Sequence, residues 1–244
     1  MLNLPPETNA KPTTFAVTML TKIESPPSPP ILNMNYQEFL EWADEDVHAE
    51  WVNNKVIIQM PAKLVHQMLV GFLYELLSFY VRLFDLGKVC LAPYEVKLTP
   101  EGSAREPDLF FVAKNNLNRL TEDRLIGAPD LAIEIVSKSS VKTDRDEKFN
   151  EYSDAGVREY WIIDPRSNKQ RADFYRLSKE RIYRLYATEE DEQVSSDILT
   201  GFCLRPAWLW KTDVLNPIQC NFEIDNVTTT FTKQMNGFQK SVNS

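Results

Sequence analysis

The sequence predicts a mixed α/β (α+β) fold in which helices flank a central mixed β-sheet. Short runs of β-branched and aromatic residues recur along the chain between turn signals and are typical of strands. Apolar residues at helical spacing occupy residues 63–85, and a polar helical segment at 141–155 separates two strand-forming regions. Helices interspersed with strands indicate one layered domain. The composition, 43% hydrophobic and 25% charged, is sufficient for one sizeable core.

The 244 residues divide into three predicted parts. Residues 1–33 contain seven of the fifteen prolines and are predicted to be a disordered, proline-rich leader. Residues 34–212 are predicted to form the single domain. Residues 213–244 are polar and weakly periodic, so we expect a loosely ordered C-terminal tail.

The first predicted elements of the domain are a short helix and a hairpin. Asn35 and Glu38 have the spacing of a capping box at the start of a helix. The strand-like runs 50–52 and 55–58 flank Asn53-Asn54, and two asparagines suit a turn with positive φ. A β-hairpin is therefore predicted directly before the long helix.

The rest of the pattern predicts two helices and a series of strands. The long helix covers residues 63–85, and the polar helix covers residues 141–155, with Gly156 as its C-cap. The mostly apolar run 131–136 is typical of a buried central strand. The strands and a short closing element are predicted at 88–98, 108–112, 131–136, 159–163, 171–177, 181–187 and 202–210.

Charge and cysteine content restrict the function. The formal net charge is −8, and residues 34–215 carry all of it. This charge argues against non-specific coating of nucleic acid, because phosphate binding depends on clustered Lys and Arg. The three cysteines are widely spaced and form no C-x-x-C pair, so neither a disulfide framework nor structural zinc is expected. A reducing cytoplasm fits this pattern best.

The apolar segment 64–86 is the stretch most similar to a membrane span. Charged and polar residues interrupt it, so no run reaches the ~18 uncharged apolar residues that a span requires. We therefore expect a buried helix and no membrane partner. The short apolar run at 15–20 lacks a preceding basic region, which also argues against a secretory signal.

Two acidic residues on predicted strands are the strongest functional signal. Asp108 ends the run Arg-Glu-Pro-Asp directly before an apolar strand, and Glu134 lies inside the apolar run 131–136. If these strands pair, the two carboxylates and the carbonyl of Ile135 can share one cation. Mg²⁺, with Mn²⁺ as an alternative, binds such hard oxygen ligands.

A structural role for the two acids stays open. Asp108 could simply cap a strand after Pro107, and Glu134 could be a buried, paired carboxylate. A charged group inside an apolar strand is costly unless it is paired or binds a metal. A buried Glu134 therefore requires either a paired side chain or a metal ion.

Several motifs together resemble a known family. They are Glu-Pro-Asp at 106–108, Glu-Ile-Val-Ser at 134–137, the segment from Asp144 to Lys148, Tyr152, and Gly-Val-Arg-Glu-Tyr-Trp-Ile-Ile-Asp-Pro at 156–165. This set resembles the restriction-endonuclease-like family often labelled Uma-two, within the PD-(D/E)XK nuclease superfamily. The resemblance runs from residue 36 to residue 186. It implies a restriction-endonuclease-like fold and metal-dependent hydrolysis of phosphodiester bonds.

The resemblance also implies a catalytic lysine in an altered position. The superfamily lysine normally follows the second acidic residue by two positions, where this chain has Val136. The resemblance implies that the lysine has moved to the following helix, and Lys148 is the candidate. Asp144, Lys148 and Tyr152 are spaced by four residues and so share one helix face. A solvated Asp144–Lys148 salt bridge is the alternative.

Further polar residues are auxiliary candidates. Glu50 and His66 match auxiliary positions of the family, where Glu50 could contact metal or a bridging water and His66 a phosphate or a metal-bound water. A lone histidine on an apolar helix is more often structural, so that role stays open for His66. Lys138 lies in a predicted loop after Glu134 and is the second candidate for the catalytic lysine. The loop 137–140 could bind phosphate oxygens or be a plain connection.

These residues predict a Mg²⁺-dependent endonuclease acting on DNA, with Asp108, Glu134 and Lys148 as its catalytic residues. The acidic charge and the displaced lysine favour an alternative, a weak or inactive nuclease-fold protein that binds nucleic acid or another partner. A third alternative, a carboxylate-pair glycosidase, needs carboxyls roughly 5–10 Å apart and no metal. A homodimer fits cleavage of both strands of a duplex, because two-fold symmetry matches that task.

Overall fold

The computed structural model describes residues 31–44 and 47–242. The predicted leader spans residues 1–33, and residues 1–30 lie outside the described part. Leu32–Asn33, at the end of the predicted leader, forms a short strand that pairs with the hairpin. The domain boundaries otherwise stay a prediction.

Within the described residues the chain forms fourteen strands and five α-helices. The strands are β1 (Leu32–Asn33), β2 (Ala49–Val52), β3 (Lys55–Ile58), β4 (Gly87–Leu91), β5 (Glu95–Lys97), β6 (Ala104–Arg105), β7 (Leu109–Ala113), β8 (Arg124–Ile126), β9 (Leu131–Ile135), β10 (Glu159–Asp164), β11 (Arg171–Leu177), β12 (Tyr183–Thr188), β13 (Val194–Ser195) and β14 (Cys203–Leu204). The helices are α1 (Tyr36–Trp42), α2 (Leu64–Leu83), α3 (Lys148–Ala155), α4 (Pro217–Asn221) and α5 (Val227–Val242). Further short turns are π-helical at Thr143–Glu147 and 3₁₀-helical at Lys114–Arg119 and Pro206–Trp210.

The predicted mixed α+β class is confirmed, with the strands divided over two large sheets. The first sheet has the order β1-β3-β2-β6-β5-β8, in which β5 and β8 run parallel and the other neighbours antiparallel. The second sheet has the order β12-β11-β10-β9-β7-β4, in which β9 and β10 run parallel. A separate ladder joins β13 and β14.

The central strand β9 divides the core into two layers. Its side chains alternate between the faces of the second sheet. Ile133 and Ile135 pack on the face that α2 covers, whereas Ala132 and Val136 pack on the face toward α3 and the first sheet. Glu134 therefore projects into the layer between the two sheets, where it needs a polar partner.

The helix α2 covers one face of the second sheet. Leu69, Leu73, Leu76 and Tyr80 recur at helical spacing and are buried in the large core cluster. By length and apolar content α2 could cross a membrane. Its buried stripe packs against the sheet instead, as expected for the core helix predicted from the interrupted apolar run.

Local sequence signals confirm three predicted boundaries. The capping box at Asn35 is present with both reciprocal hydrogen bonds. Asn53 and Asn54 have φ values of 50° and 62° in the β2–β3 turn. Gly156 ends α3 in the left-handed region at φ 92°, where a Cβ would be strained.

The prediction of one strand at 88–98 is wrong. This segment contains β4, which pairs with β7 in the second sheet, and β5, which pairs with β6 and β8 in the first. Pro93 lies between them and has no N–H for a strand ladder. The chain therefore passes from one sheet to the other at this proline.

The prediction of a loosely ordered tail does not hold for its first part. Cys220, Ile224 and Val227 are buried in the core cluster beside α2. The buried side-chain amide of Asn221 donates to the carbonyl of Leu76 at 3.0 Å. Few apolar residues in this stretch follow helical spacing, so its docking depends on contacts with a distant helix and leaves no local signal.

Replacing Ile224 with alanine is expected to lower the free energy of unfolding by about 2–4 kcal/mol, because Ile224 is 3% exposed and its removal leaves a cavity. Chemical denaturation monitored by circular dichroism measures this change. Ile218→Ala is the matched control in the same segment, since Ile218 is 45% exposed. Equal effects of the two substitutions would show that the segment is not part of the core.

Candidate active site

Asp108 and Glu134 lie side by side on neighbouring strands. β7 and β9 are antiparallel with Leu109 opposite Ile133, so the continued register places Asp108 opposite Glu134. The Asp108 Oδ2 accepts the backbone N–H of Ile135 at 2.7 Å. The strand pairing on which the shared cation depends is therefore present.

Glu134 has two hydrogen-bond donors on one carboxylate oxygen. Lys148 Nζ donates to Glu134 Oε1 at 2.9 Å, and the hydroxyl of Tyr152 donates to the same oxygen at 2.7 Å. All three side chains are buried. The structure thus brings Lys148, rather than a residue of β9 itself, to the second acid of the pattern.

The ammonium of Lys148 is shared by three buried carboxylates. Besides Glu134 it contacts Glu50 Oε1 at 3.0 Å and Asp144 Oδ1 at 3.9 Å. The predicted common face of Asp144, Lys148 and Tyr152 is confirmed, since all three are buried. A solvated Asp144–Lys148 pair is excluded by this burial.

The backbone that carries Lys148 combines two helical geometries. The π-helical turn Thr143–Glu147 continues directly into α3, which begins at Lys148. Asp144 lies on the π-helical turn, and its carbonyl accepts the hydroxyl of Tyr160 on β10 at 2.8 Å. This bond ties the start of the helical segment to the second sheet.

Arg105, which was not predicted as a site residue, is completely buried at the centre of this network. Its Nη1 donates to Glu50 Oε2 at 2.9 Å, and its Nε and Nη2 form a fork on Glu151 at 2.8 and 2.7 Å. Glu151 lies on α3, one turn after Lys148. Arg105 and Glu50 both lie on the first sheet, so Arg105 fixes α3 to that sheet through Glu151 and holds Glu50, a partner of Lys148, in place.

His66 joins the site from the first turn of α2. Its Nε2 lies 3.2 Å from Asp108 Oδ2, and its Nδ1 is buried without a partner among the described residues. Burial alone would lower the pKa of His66, but the bond to Asp108 and nearby Asp144 raise it above the ordinary value. The imidazole is thus held at the first acid, with Nε2 next to Asp108 Oδ2.

Lys138 and the neighbouring serines lie at the edge of the site. Lys138 is exposed and has no ion-pair partner in the part of the chain that the structure describes. Ser137 and Ser140 hydrogen-bond each other at the start of the loop, at 2.9 to 3.2 Å. Only Lys148 of the two candidate lysines contacts Glu134, whereas a phosphate-binding role for the loop stays a prediction.

Burial and mutual repulsion raise the pKa of two acids of the site, Glu134 and Asp144. Burial, with the charges of Asp144, Asp108 and Glu50, raises the pKa of Glu134 well above its ordinary value despite the opposing charge of Lys148. Burial raises the pKa of Asp144 to about 6. Because several carboxylates share this buried layer, Glu134 and Asp144 hold their protons more strongly than ordinary carboxyl groups do, unless a further cation binds there.

For Lys148 and Glu50 the neighbouring opposite charges outweigh the effect of burial on the pKa. Burial alone would lower the pKa of Lys148, but Glu134 and Glu50 raise it well above the ordinary value of a lysine. The pKa of Glu50 is lowered, because Lys148 and Arg105 outweigh the effect of burial. Lys148 is therefore an ammonium ion at neutral pH.

A protein-family model matches most of the chain. The family model described as "Uma2: Putative restriction endonuclease" matches residues 36–207, more than half of the chain. The chain belongs to the Uma2 family. This Uma2 domain contains every residue of the site described above. No curated protein matches the chain.

A solved structure has the same fold as this Uma2 chain. It is a crystal structure described as "a putative nuclease belonging to DUF820" from Anabaena variabilis. The two share 18% sequence identity with a TM-score of 0.60, and the match covers 72% of this chain and 97% of the other. The predicted restriction-endonuclease-like fold is confirmed by this likeness and by the family.

The donor set of the Uma2 site fits Mg²⁺ better than zinc. Among the described residues, Asp108 Oδ1 and Glu134 Oε2 have no hydrogen-bond partner, because Ile135, His66, Lys148 and Tyr152 all contact the other oxygens. No group of three or more His, Cys, Asp or Glu in the described ranges has a metal-ligand arrangement. Zinc requires three or four such side chains, whereas Mg²⁺ takes one or two carboxylates and keeps several waters.

Glu106, two residues before Asp108, is a half-buried acid that was part of the family motif but was not predicted as a site residue. Burial and the charge of Glu50 raise the pKa of Glu106 to about 8. Its unfolded pKa is about 4.3. Protonated Glu106 therefore stabilises the folded Uma2 chain fully below this value, and that contribution is lost as the pH rises through about 8.

Glu106→Gln keeps this side chain neutral at every pH. We expect the free energy of unfolding of the metal-free wild type to fall relative to that of the variant between about pH 4.5 and 8, and the difference to level off above this range. Urea unfolding in EDTA at several pH values measures it. Glu101→Gln, on an exposed turn, controls for the loss of one negative charge, and a pH-independent difference for E106Q would contradict the raised pKa.

Proposed function

We propose that this Uma2 protein is a Mg²⁺-dependent endonuclease that hydrolyses phosphodiester bonds of DNA. One contact carries the proposal: Lys148 Nζ lies 2.9 Å from Glu134 Oε1. Glu134 is on β9, the strand that pairs with β7 directly after Asp108. Two strand-borne carboxylates with one lysine can hold a divalent cation and a phosphate at the same edge of a sheet. Membership of a family described as "Putative restriction endonuclease" and the likeness to a structure described as "a putative nuclease" support the same chemistry.

Asp108, Glu134 and the carbonyl of Ile135 would hold the ion. When bound, Mg²⁺ supplies a Lewis acid that lowers the pKa of a coordinated water and offsets charge on the phosphate. The unpartnered oxygens of Asp108 and Glu134 are the ones available for this purpose. The hydrogen bond from the backbone N–H of Ile135 limits the movement of the Asp108 carboxylate, the first ligand.

Lys148 acts as a hydrogen-bond donor and not as a general base. Its pKa is raised well above the ordinary value by Glu134 and Glu50, so it keeps its proton at neutral pH. An ammonium in this place orients the attacking water and stabilises the negative charge that develops on the phosphate oxygens. Glu50 and Asp144 hold it there, and His66 holds Asp108 in place through its Nε2.

The proposal includes DNA as substrate and the cytoplasm as the place of action. The cysteines Cys90, Cys203 and Cys220 are free thiols, in keeping with a reducing compartment. A homodimer would supply two sites for the two strands of a duplex.

Plasmid cleavage by the purified wild type tests this proposal. We expect supercoiled DNA to be nicked or linearised with Mg²⁺ or Mn²⁺ and left intact in EDTA, with activity restored by added Mg²⁺. Binding of DNA with equal affinity with and without Mg²⁺, and no cleavage, would favour the binding-module alternative. Hydrolytic activity on a glycan that survives EDTA would favour the carboxylate-pair glycosidase.

A further inference from the structure

The first turn of α2 exposes apolar side chains beside the site. Leu64 is 77% exposed, Val65 50% and Met68 42%. Residues at these spacings lie together on one side of a helix. His66, in the same turn, faces Asp108 from another side of the helix, so the apolar side chains lie next to the site and not within it.

A groove runs from this turn to the connection between β10 and β11. It has a volume of about 510 Å³ and is lined by Lys63 and Val65 on one side and by residues 165–168 and Gln170 on the other. The end of β10 is adjacent to the end of β9, because Val136 N–H donates to the carbonyl of Ile163 at 2.8 Å. The groove and the carboxylates therefore open at the same end of the second sheet, where the central strands β9 and β10 finish. This end of the strands is called the edge below.

The three segments at this edge are basic although the chain is acidic. Residues 59–68, 137–142 and 165–170 contain no Asp or Glu, while the whole chain has 35 acidic residues. Their cationic side chains are Lys63, Lys138, Lys142, Arg166 and Lys169. The four lysines are exposed and have no ion pair among the described residues, whereas Arg166 is held by Asp164 at 2.6 to 2.8 Å. A polyanion is the ligand that this charge distribution attracts.

From these observations we infer that the edge binds DNA whose bases are locally unstacked, with Leu64, Val65 and Met68 as an apolar wedge at one base step. The lysines hold the flanking phosphates. This inference rests on the proposed function for the identity of the polyanion. Phosphate contacts alone would need polar side chains, and the apolar turn adds a surface that fits the faces of bases.

The wedge predicts a substrate preference. Inserting an apolar side chain between bases requires unstacking, which costs a few kcal/mol in paired DNA and less at a mismatch or a flexible pyrimidine–purine step. The preferred substrate is therefore duplex DNA with a mismatch, a gap or another weak step, and not a uniformly stable duplex.

The test uses the full-length protein and a fluorescent duplex with 2-aminopurine next to a central mismatch, together with the matched duplex, in EDTA. The triple variant L64S/V65S/M68S removes the wedge, and I182S/L185S removes two residues that are 52% and 49% exposed near β12. We expect the wild type and the control pair to bind the mismatched duplex about 10-fold tighter, as one weakened base step of roughly 1.4 kcal/mol allows, and to raise the 2-aminopurine fluorescence. The triple variant should lose both effects and retain its thermal melting temperature.

A second variant, K63S/K138S/K142S/K169S, separates the charges from the wedge. It should weaken binding of both duplexes equally and reduce the slope of log Kd against log salt by about one per lost phosphate contact. A triple wedge variant with unchanged preference and fluorescence would overturn the inference. The wedge substitutions could instead leave DNA binding intact and change the sedimentation coefficient or the binding to anionic vesicles. The apolar patch would then serve self-association or membrane binding, and the inference would fail.

Failure of the proposed function is distinguishable from failure of the wedge. A wild type that unstacks the mismatched duplex and cleaves no DNA with any divalent metal supports the wedge and removes the nuclease proposal. A wild type that cleaves DNA, with a triple variant that keeps the preference for the mismatch, supports the nuclease proposal and removes the wedge.

Discussion

Replacement of Lys148 by methionine is expected to reduce DNA cleavage by about 10²–10³-fold, the usual cost of removing one preorganised donor from a developing negative charge. The same change should lower the free energy of unfolding by about 3–5 kcal/mol, because the buried carboxylates of Glu134, Glu50 and Asp144 lose their common cation. Single-turnover cleavage and urea unfolding measure the two effects. Methionine preserves most of the side-chain volume, so the loss reflects charge.

Lys138→Met is the matched control for Lys148→Met. Lys138 carries the same charge close to Glu134 in the sequence, but it is exposed and contacts no acid among the described residues. We expect its substitution to leave the rate constant of the chemical step and the stability near those of the wild type, with at most weaker DNA binding. If K138M lost the chemical step and K148M kept it, the assignment of the lysine would be wrong.

Replacement of Asp108 by asparagine is expected to abolish Mg²⁺ binding and to lower cleavage by at least about 10²-fold, since the metal contributes several kcal/mol of charge stabilisation. Stability should change by less than about 1 kcal/mol, because Asp108 is partly exposed and asparagine can still accept the N–H of Ile135. Titration calorimetry with Mg²⁺ and plasmid cleavage measure the two losses.

The control for this substitution is Asp123→Asn, which removes an equal charge from an exposed turn. It should bind Mg²⁺ and cleave DNA as the wild type does. An Asp108→Asn protein that keeps full metal affinity would show that Asp108 is only the strand cap considered in the sequence analysis.

The sequence predicted those parts of the site that depend on neighbouring residues or on simple spacing. The apolar runs around Asp108 and Glu134 indicated two strands, and their pairing brings the acids together. Spacing by four residues predicted the common face of Lys148 and Tyr152. In each case the periodicity of a strand or a helix determines which side chains are neighbours.

The supporting contacts could not be predicted because their partners are distant along the chain. Arg105 meets Glu50 across 55 residues and Glu151 across 46 residues, and neither separation corresponds to a helical or strand period. The division of the strands into two sheets also depends on tertiary packing, since β4 and β5 are almost contiguous in sequence. The one local signal for Arg105 was its place directly before Glu-Pro-Asp.

The π-helical turn Thr143–Glu147 has a consequence for how this site can be gained or lost. A π-helical turn contains an additional residue relative to an α-helical turn, and one residue corresponds to a rotation of about 100°. A single-codon deletion within this turn would therefore convert it into an α-helical turn and leave Lys148 aimed at both acids, whereas the same deletion inside α3 would rotate the later side chains by about 100°. The π-helical turn is therefore the place where this helix tolerates a change of length, and the Lys148–Glu134 contact is protected by following directly after it.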